Sequence, residues 1–277
     1  MRLGGPVFAK YTDPEGWVAA IRAKDYRAAY CPVDPKTYGT TIKAYAEAAK
    51  RANIVIAETG AWSNPLSSDA DAAKAASEKC KRMLALAEEI GARCCVNITG
   101  SRGGRWDGPH PLNLTKETFD RIVQVCRDIL DAVKPTRTFY TLETMPWMFP
   151  DSADSYVELL KAIDRPAMGV HFDPVNLICS PQRYFANAEI IRDFCSKLGP
   201  HIRSCHAKDV LLADRLTTHL DEIRPGEGNL CYRTFLRELS RLDPDTPLML
   251  EHLAKEKEYD QAADHIRSVA RETGVNL

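Results

Sequence analysis

The fold of this 277-residue chain can be predicted from a pattern first seen in Met168-Gly-Val-His-Phe-Asp173. This stretch is a short, largely apolar run that ends in a carboxylate. Pro174 follows it and favours an extended backbone at Asp173, as expected at the end of a strand. Three further runs have the same form and also end in a side chain that binds divalent metals: Phe139–Glu143, Ile202–His206 and Leu248–Glu251. A loop and then a helix-like stretch follow each run, which indicates repeated strand–helix units.

Strand-like and helix-like patterns alternate along the whole chain. Eight strands are predicted: Pro6–Lys10, Ala28–Val33, Ile54–Thr59, Arg93–Thr99, Thr138–Glu143, Ala167–Asp173, Ile202–His206 and Pro247–Glu251. Most are apolar at odd and even positions alike, which is typical of strands that are covered on both faces, as in a parallel sheet. Between them, apolar residues recur at helical spacing, as in Ile122, Cys126, Ile129 and Val133. Such stripes predict helices that pack one face on a sheet.

Two helix starts can be predicted from capping residues. The Ala-rich stretch from Asp69 to Ile90 predicts a long helix with Ser67 or Ser68 as its cap, and Gly91 ends it. The residues 151–154 (Asp-Ser-Ala-Asp) offer a cap for a later helix.

Eight strands alternating with helices favour an α/β fold, a single (β/α)₈ TIM barrel that forms one domain over residues 1–277. The alternative is an open, doubly wound sheet, which usually carries a glycine-rich phosphate turn after its first strand. The first predicted strand is followed by Tyr11-Thr-Asp-Pro-Glu-Gly16, which is no such turn. The chain also lacks a linker or low-complexity tract that would divide it.

The composition is that of an ordinary globular protein. Hydrophobic residues make up 44% of the chain, and 37 basic side chains face 38 acidic ones, for a net charge of −1. This balance lacks the basic excess of a nucleic-acid-binding protein. No apolar stretch reaches the roughly 18 residues that a membrane span needs. We therefore expect neither nucleic acid nor a membrane as a partner.

Nine cysteines are spread over the chain without a Cys-x-x-Cys pair. Their number is odd, and several lie inside apolar runs, as Cys94, Cys95 and Cys126 do. We expect reduced, mostly buried thiols in a cytoplasmic protein. The first residues, Met1-Arg-Leu-Gly-Gly-Pro6, lack the apolar core of a signal peptide.

A closed parallel barrel would bring the ends of its last four strands together. These ends carry Glu143, Asp173, His206 and Glu251, which lie 30, 33 and 45 positions apart. Three carboxylates and one imidazole suit a single divalent ion, with Mn²⁺ as the first choice and Mg²⁺, Co²⁺ or Zn²⁺ as alternatives. Taken singly, each acidic residue also fits a turn or cap position. Their common position at four successive strand ends predicts a shared metal site.

Five segments resemble one enzyme family. They are Tyr140-Thr-Leu-Glu-Thr-Met-Pro-Trp147, Gly169-Val-His-Phe-Asp-Pro-Val-Asn176, Cys205-His-Ala-Lys-Asp209, Arg224-Pro-Gly-Glu-Gly228 and Leu248-Met-Leu-Glu251. They resemble the sugar phosphate isomerase/epimerase family of the xylose-isomerase-like barrels. This superfamily also holds ketose 3-epimerases, hydroxypyruvate isomerases, inosose dehydratases and endonuclease IV. The resemblance implies one catalytic divalent metal held by the same four residues that the strand ends predict.

The resemblance also implies a reaction, the isomerisation or epimerisation of a keto-sugar or related polyol. The metal binds the ketone oxygen and a neighbouring hydroxyl and lowers the cost of an enediolate. Glu143 and Glu251 are the expected catalytic residues, one removing a carbon-bound proton and the other returning it. Barrels of this family often form homodimers or homotetramers, although no segment here indicates an interface.

Substrate contacts are expected from eight residues at the same end of the barrel: Glu58, Trp62, Trp106, Trp147, His171, Asn176, Lys208 and Arg224. The tryptophans would form apolar walls that suit sugar rings and polyols, with ordinary packing as the alternative. For His171 the alternatives are a contact behind the metal ligands or a packed core histidine, and for Arg224 a surface position in a long loop. Asp209 is expected to orient His206 or the loop.

Two features bear on the substrate. Asn176 stands three positions after Asp173, where epimerases of the family often have a histidine, and an amide can bind a hydroxyl but cannot shuttle a proton. Arg102 and Arg105 lie beside glycines and are the only hint of an anionic substrate, with solvated loop charges as the alternative.

Three other functions are alternatives for such a barrel. A lyase of the inosose dehydratase type would use the same metal and expel a hydroxyl as water. An abasic-site nuclease of the endonuclease IV type needs three zinc ions, and the histidines expected for them are missing at Asn176 and around Arg224. A barrel that only binds a ligand would have little use for a complete set of metal ligands.

Overall fold

Eight parallel strands close into a barrel in the computed structural model, which describes all 277 residues. The barrel strands are β1 (Arg2–Gly4), β2 (Ala28–Tyr30), β3 (Val55–Gly60), β4 (Cys94–Asn97), β5 (Phe139–Glu143), β6 (Met168–Phe172), β7 (Ile202–Ala207) and β10 (Pro247–Leu250). Their order around the barrel is β1-β10-β7-β6-β5-β4-β3-β2. The predicted (β/α)₈ fold is confirmed.

Helices surround the barrel and follow its strands. They are α1 (Pro14–Ala23), α2 (Gly39–Ala52), α3 (Ala70–Ile90), α4 (Lys116–Val133), α5 (Ala153–Ile163), α6 (Pro181–Phe185), α7 (Asn187–Leu198), α8 (Tyr232–Leu239) and α9 (Glu256–Thr273). Short 3₁₀ turns occupy Val175–Leu177 and Gly199–His201. The apolar stripe of α4 is buried at Ile122, Cys126 and Ile129, as its spacing predicts. None of the helices combines the length and apolar character needed to cross a bilayer.

Helix caps follow the sequence with one correction. Ser152 caps α5 in a reciprocal capping box with Ser155, and Gly91 ends α3 with φ of 79°. The cap of α3 is Asp69, not Ser67 or Ser68, because its carboxylate accepts the backbone N–H groups of the first helical turn. The Ser67 hydroxyl instead accepts the backbone N–H of Asp69.

The first strand lies at Arg2–Gly4, so the prediction of a strand at Pro6–Lys10 was wrong. The glycine at position 4 explains the difference. A Cβ there would lie 2.4 Å from the Ala28 carbonyl oxygen and 2.7 Å from Met249 Sδ, so only glycine allows β1 to lie this close to its neighbours. A strand pattern based on bulky side chains does not detect such a segment.

An antiparallel hairpin after β7 was not predicted. It consists of β8 (Asp209–Ala213) and β9 (His219–Ile223), and Val210 pairs with Glu222. The β9 sequence His-Leu-Asp-Glu-Ile has mostly polar residues and no strong strand signal. The hairpin stands at the C-terminal end of the barrel, where the strand ends carry the predicted metal ligands.

All nine cysteines are free thiols, and six of them are buried. Cys179 is exposed, and Cys31 and Cys231 are partly buried. Burial raises the pKa of the Cys31 thiol to about 11, so even this partly covered side chain is protonated near neutral pH.

Candidate metal centre and substrate pocket

The four predicted metal ligands meet at the C-terminal end of the barrel. One donor atom from each of Glu143, Asp173, His206 and Glu251 lies within 4.8 Å of all the others. His206 Nδ1 is 3.1 Å from Glu143 Oε1, 2.9 Å from Glu251 Oε1 and 4.0 Å from Asp173 Oδ2. Glu251 is 12% exposed and the other three side chains are more deeply buried. The parallel strands thus bring together residues that are far apart in sequence.

Asp173 is held so that one oxygen faces this cluster. Its Oδ1 accepts the backbone N–H groups of Val175 at 2.9 Å and Asn176 at 3.4 Å. The Thr144 hydroxyl donates to the Asp173 carbonyl at 2.7 Å, which ties the end of β6 to the end of β5. Because Oδ1 is engaged by the backbone, Oδ2 is left for the centre of the cluster.

Tyr156 links the two neighbouring strands β5 and β6 next to the cluster. Its buried hydroxyl donates to the Leu142 carbonyl at 2.7 Å and accepts the backbone N–H of Leu142 at 3.1 Å and of His171 at 3.3 Å. The hydroxyl therefore joins β5 and β6 next to Glu143. Asn176 adds a further contact with Glu143, because its amide donates to Oε1 at 3.1 Å.

Glu58 lies on the other side of His206. Its Oε1 accepts from His206 Nε2 at 3.2 Å, and its Oε2 accepts from His171 Nε2 at 3.0 Å and from the Ser204 hydroxyl at 2.8 Å. Both histidines and the serine are fully buried, and Glu58 is 2% exposed. Burial alone would raise the pKa of Glu58, but the two histidines hold it well below its usual range. A charged Glu58 keeps a proton of His206 on Nε2, so that Nδ1 is the nitrogen that could bind a metal after it loses its own proton.

Two buried carboxylate oxygens in the cluster accept no directed hydrogen bond. They are Asp173 Oδ2 and Glu251 Oε1. The Lys208 ammonium lies 2.8 Å from the first and 2.5 Å from the second. Buried oxygens of this kind normally have partners. Together with Nδ1 of His206, they form an oxygen-rich donor set that fits a divalent cation.

The charges in the cluster also favour a bound cation. Burial raises the pKa of Asp173 to about 7, with repulsion from Glu143 and Glu251 acting against the attraction of Lys208 and His206. For Glu143, Lys208 and His206 outweigh burial and lower its pKa to about 2. Despite the positive charges of Lys208 and His206, the Asp173 carboxyl group is therefore close to accepting a proton near neutral pH. A divalent ion would relieve this repulsion.

Lys208 and two further residues complete the surroundings. The Lys208 ammonium is 2.8 Å from Asp173 Oδ2, 2.5 Å from Glu251 Oε1 and 3.6 Å from Glu222 Oε2. Glu222 Oε1 in turn accepts from His252 Nδ1 at 3.0 Å. Sequence reasoning missed Glu222, because the hairpin was not predicted, and His252, although it directly follows Glu251. His252 has φ of 59°, in the left-handed region that few residues other than glycine adopt.

A cavity of about 590 Å³ opens in front of the cluster. It is lined by the sequence-predicted residues Glu58, Trp62, Trp106, Glu143, Trp147, Asn176, Lys208 and Glu251. The remaining lining includes Tyr30, Met145, Glu222 and His252. The volume and the mixture of aromatic walls with a few polar groups are typical of small-molecule sites.

The three tryptophans lie on neighbouring loops. Trp147 Nε1 donates to the Asp107 carbonyl at 2.8 Å. Trp62 lies 6.4 Å from His206, measured between ring centroids. Its indole packs over Gly60, where a Cβ would lie 2.2 Å from Nε1. Gly60 therefore gives the ring the space to stand at the wall of the cavity.

Other predicted residues do not reach the cavity wall. The guanidinium of Arg224 pairs with Glu227 at 2.6 Å, and His171 is buried behind the cluster against Glu58. Asp209 does not contact His206. Its carboxylate accepts four backbone N–H groups and so fixes the turn that follows the hairpin, from Val210, Gly226, Gly228 and Leu230.

The arginines that hinted at an anionic substrate are also engaged elsewhere. Arg105 pairs with Asp107 at 2.6 Å, and Arg102 lies 3.4 Å from Glu117. Neither lines the cavity.

Residues 19–269 match the family model described as xylose isomerase-like TIM barrel. The chain belongs to this family. The four clustered strand-end residues and the cavity in front of them therefore lie in a xylose isomerase-like barrel. No curated protein matches the sequence.

Solved structures with the same fold include several enzymes. A D-psicose 3-epimerase from Clostridium cellulolyticum, solved with D-tagatose, is 16% identical with a TM-score of 0.70, covering 99% of each chain. The probable 3-DHS dehydratase AsbF from Bacillus anthracis is 17% identical with a TM-score of 0.70, covering 97% of this chain and 98% of that one. Endonuclease IV from Thermus thermophilus is 14% identical with a TM-score of 0.73, covering 98% and 100%. Since identities are this low, the likeness shows the fold of this xylose isomerase-like barrel and leaves its reaction open.

Proposed function

We propose that the protein is a divalent-metal-dependent isomerase or epimerase of a keto-sugar or related polyol. One observation carries the proposal. Of the four ligand residues, the two glutamates Glu143 and Glu251 line the cavity, whereas Asp173 and His206 do not. A substrate in the cavity would therefore meet two carboxylates beside the metal site. Two such groups are what a proton transfer between a removing and a returning base requires.

The chemistry divides between the ion and the side chains. A divalent ion held by Glu143, Asp173, His206 Nδ1 and Glu251 would supply Lewis acidity towards a carbonyl oxygen. One glutamate removes the proton from the carbon next to the carbonyl, which gives an enediolate, and the other returns a proton. The Asn176 amide, which donates to Glu143 Oε1, limits the positions that this carboxylate can take. Glu58 holds the imidazole of His206 in place from behind.

The charge of the cavity wall favours an uncharged substrate. None of the lining residues is an arginine, and the acidic ones are Glu58, Asp107, Glu143, Glu222 and Glu251. Lys208 and His252 are the only basic side chains of the wall, and both already contact carboxylates. A phosphate group would find no free guanidinium here. Trp62, Trp106 and Trp147 offer apolar faces for the C–H groups of a sugar or cyclic polyol.

A lyase reaction is the second candidate, and the position of Lys208 favours it. The ammonium lies beside Glu251 at the wall of the cavity and offers a proton donor for a leaving hydroxyl group. In this reaction the same proton is removed, and water is lost before a proton can return. A nuclease is not supported, because the two further histidines beside the cluster are engaged by other carboxylates, His171 by Glu58 and His252 by Glu222.

The test is solvent exchange with non-phosphorylated substrates. The Mn²⁺-loaded protein is incubated in D₂O with a panel of ketoses and keto-inositols, and NMR follows deuterium at the carbon next to the carbonyl. We expect incorporation that a chelator abolishes and Mn²⁺ restores. Mass spectrometry of the products separates the two candidates, because only the lyase produces the loss of one water. A second panel of phosphorylated substrates is run in the same way. Absence of exchange in both panels would rule the proposal out.

A further inference from the structure

Lys208 faces the same oxygens that would bind a metal. Its ammonium lies 2.5 Å from Glu251 Oε1, 2.8 Å from Asp173 Oδ2 and 3.6 Å from Glu143 Oε1. The side chain is only 2% exposed, so water does little to screen these charges. In this structure the ammonium therefore neutralises part of the ligand set by itself.

A divalent ion and this ammonium would compete for the same place. Both would bind Asp173 Oδ2 and Glu251 Oε1, and two cations that share ligands a few ångströms apart in a buried site repel strongly. The ammonium is held to both oxygens as a compact point charge, a contact that can follow a change in its position. Lysine also has a flexible stem of four carbons, which allows its head to move without the backbone.

Glu222 provides a second place for the ammonium. Its Oε2 lies 3.6 Å from Lys208 Nζ, on the side of the cavity. Its Oε1 accepts from His252 Nδ1 at 3.0 Å, which holds the carboxylate in position. Glu222 belongs to the β8–β9 hairpin and to none of the eight barrel strands. An ammonium that moves towards it stays at the cavity wall next to Glu251.

We propose that Lys208 is the resident counter-cation of the ligand set and that a divalent ion displaces it towards Glu222, where it donates to an oxygen of the substrate. The inference rests on the proposed function for its ion and its substrate. It assigns Glu222, and with it the hairpin, a part in the loading of the metal site.

The test compares Mn²⁺ binding and stability in three proteins. Lys208→Met removes the competing charge, and Lys161→Met, on an exposed part of α5, is the matched control. By calorimetry on metal-stripped protein we expect Lys208→Met to bind Mn²⁺ roughly tenfold more tightly than wild type, because the rival cation is gone. Its metal-free form should melt at a lower temperature, because three carboxylates are left without the ammonium. A merely structural lysine would weaken both properties.

Glu222→Gln tests the second position in a variant that leaves the buried cluster intact, with Glu158→Gln as its exposed control. We expect Mn²⁺ to bind several-fold more weakly, because the displaced ammonium loses its acceptor. With Mn²⁺ saturating, Lys208→Met should raise the KM for a substrate found in the exchange panel. An unchanged KM would remove the substrate contact from the proposal.

The outcomes separate this inference from the proposed function. In one outcome, wild type binds Mn²⁺ and exchanges deuterium while Lys208→Met binds Mn²⁺ no more tightly. That result disproves the role of Lys208 as counter-cation and leaves the proposed enzymatic function standing. If Lys208→Met does not fold, Mn²⁺ binding by Glu222→Gln at wild-type strength disproves the displacement. If wild type binds no Mn²⁺, both proposals fall.

Discussion

Oε1 of Glu58 lies 3.2 Å from Nε2 of His206, and this contact determines which nitrogen of the imidazole faces the three carboxylates. The pair joins β3 to β7 across the interior of the barrel. Ser204 and His171 bind the other oxygen of Glu58, so the carboxylate cannot turn away. A carboxylate behind a ligating histidine is a common way to fix its orientation and raise its basicity.

Glu58→Gln should therefore weaken metal binding without touching a ligand. We expect Mn²⁺ affinity to fall by about 10- to 100-fold, the usual effect of losing such a partner. The visible spectrum of the Co²⁺-loaded protein should also change, because the imidazole is no longer held in one orientation. Glu158→Gln, on the exposed face of α5, serves as the control. Wild-type affinity together with an unaltered Co²⁺ spectrum would exclude this role for Glu58.

Glu251→Gln tests the assignment of the proton-transfer groups. We expect deuterium exchange to drop by roughly 100-fold or more, because an amide cannot accept the proton. Glu143→Gln should behave in the same way if the two residues act as a pair. The fold should persist, as measured by circular dichroism and thermal melting, since Glu251 lies at the rim of the barrel with 12% of its side chain exposed. Near-full exchange by either folded and metal-loaded variant would remove that residue from the mechanism.

Trp62 should contribute to substrate binding rather than to the chemical step. Trp62→Ala removes an apolar wall that packs over Gly60, and we expect KM to rise about fivefold to tenfold with kcat nearly kept. Trp62→Phe retains a ring and should lie between the alanine variant and wild type. Steady-state kinetics on the substrate found in the exchange panel gives both constants. A fall in kcat alone would indicate that the indole acts on the reacting groups instead.

Much of the site follows from the sequence because parallel strands end at one edge. Glu143, Asp173, His206 and Glu251 each close a recognisable apolar strand, so a correct strand order suffices to bring them together. The same reasoning places Trp62 and Trp147 near the cavity, since both follow strand ends closely. The glutamate at position 58 was also placed at this end, but its partners His171 and Ser204 depend on packing across the barrel, which a single strand cannot reveal.

The remaining features depend on contacts that leave no periodic pattern. The first strand is short and relies on Gly4 for its close approach to Ala28. The β8–β9 hairpin has no buried face along its second strand, so neither alternation nor apolar content indicates it. Glu222 reaches the cavity only through this hairpin. The pairing of Arg224 with Glu227 likewise depends on the geometry of one turn.

Glu88 lies away from the site, and its contacts predict how the stability of the protein depends on acidic pH. Partial burial opposes ionisation, but hydrogen bonds from the Thr136 hydroxyl and from the backbone of Arg137 and Thr138 lower its pKa to about 2. Since the pKa is lowered on folding, the stabilisation is complete above the unfolded value near 4.5 and is lost as the pH falls towards 2. The contacts tie the end of α3 to the segment directly before β5.

Glu88→Gln should lower the free energy of unfolding by about 1–2 kcal/mol at pH 7. The difference from wild type should shrink below pH 4.5, where wild type itself begins to lose the interaction. Urea unfolding at pH 7 and at pH 3 measures both values. An equal difference at the two pH values would show that the charge of Glu88 is not what stabilises this junction.

Anomalous diffraction from Mn²⁺-soaked crystals would locate a single divalent ion held where four strands end. We expect one anomalous peak bonded to Glu143, Asp173, Glu251 and Nδ1 of His206, with the Lys208 ammonium turned towards Glu222. Four side chains left in place around an empty centre at millimolar Mn²⁺, or a peak elsewhere on the molecule, would contradict the proposed metal site.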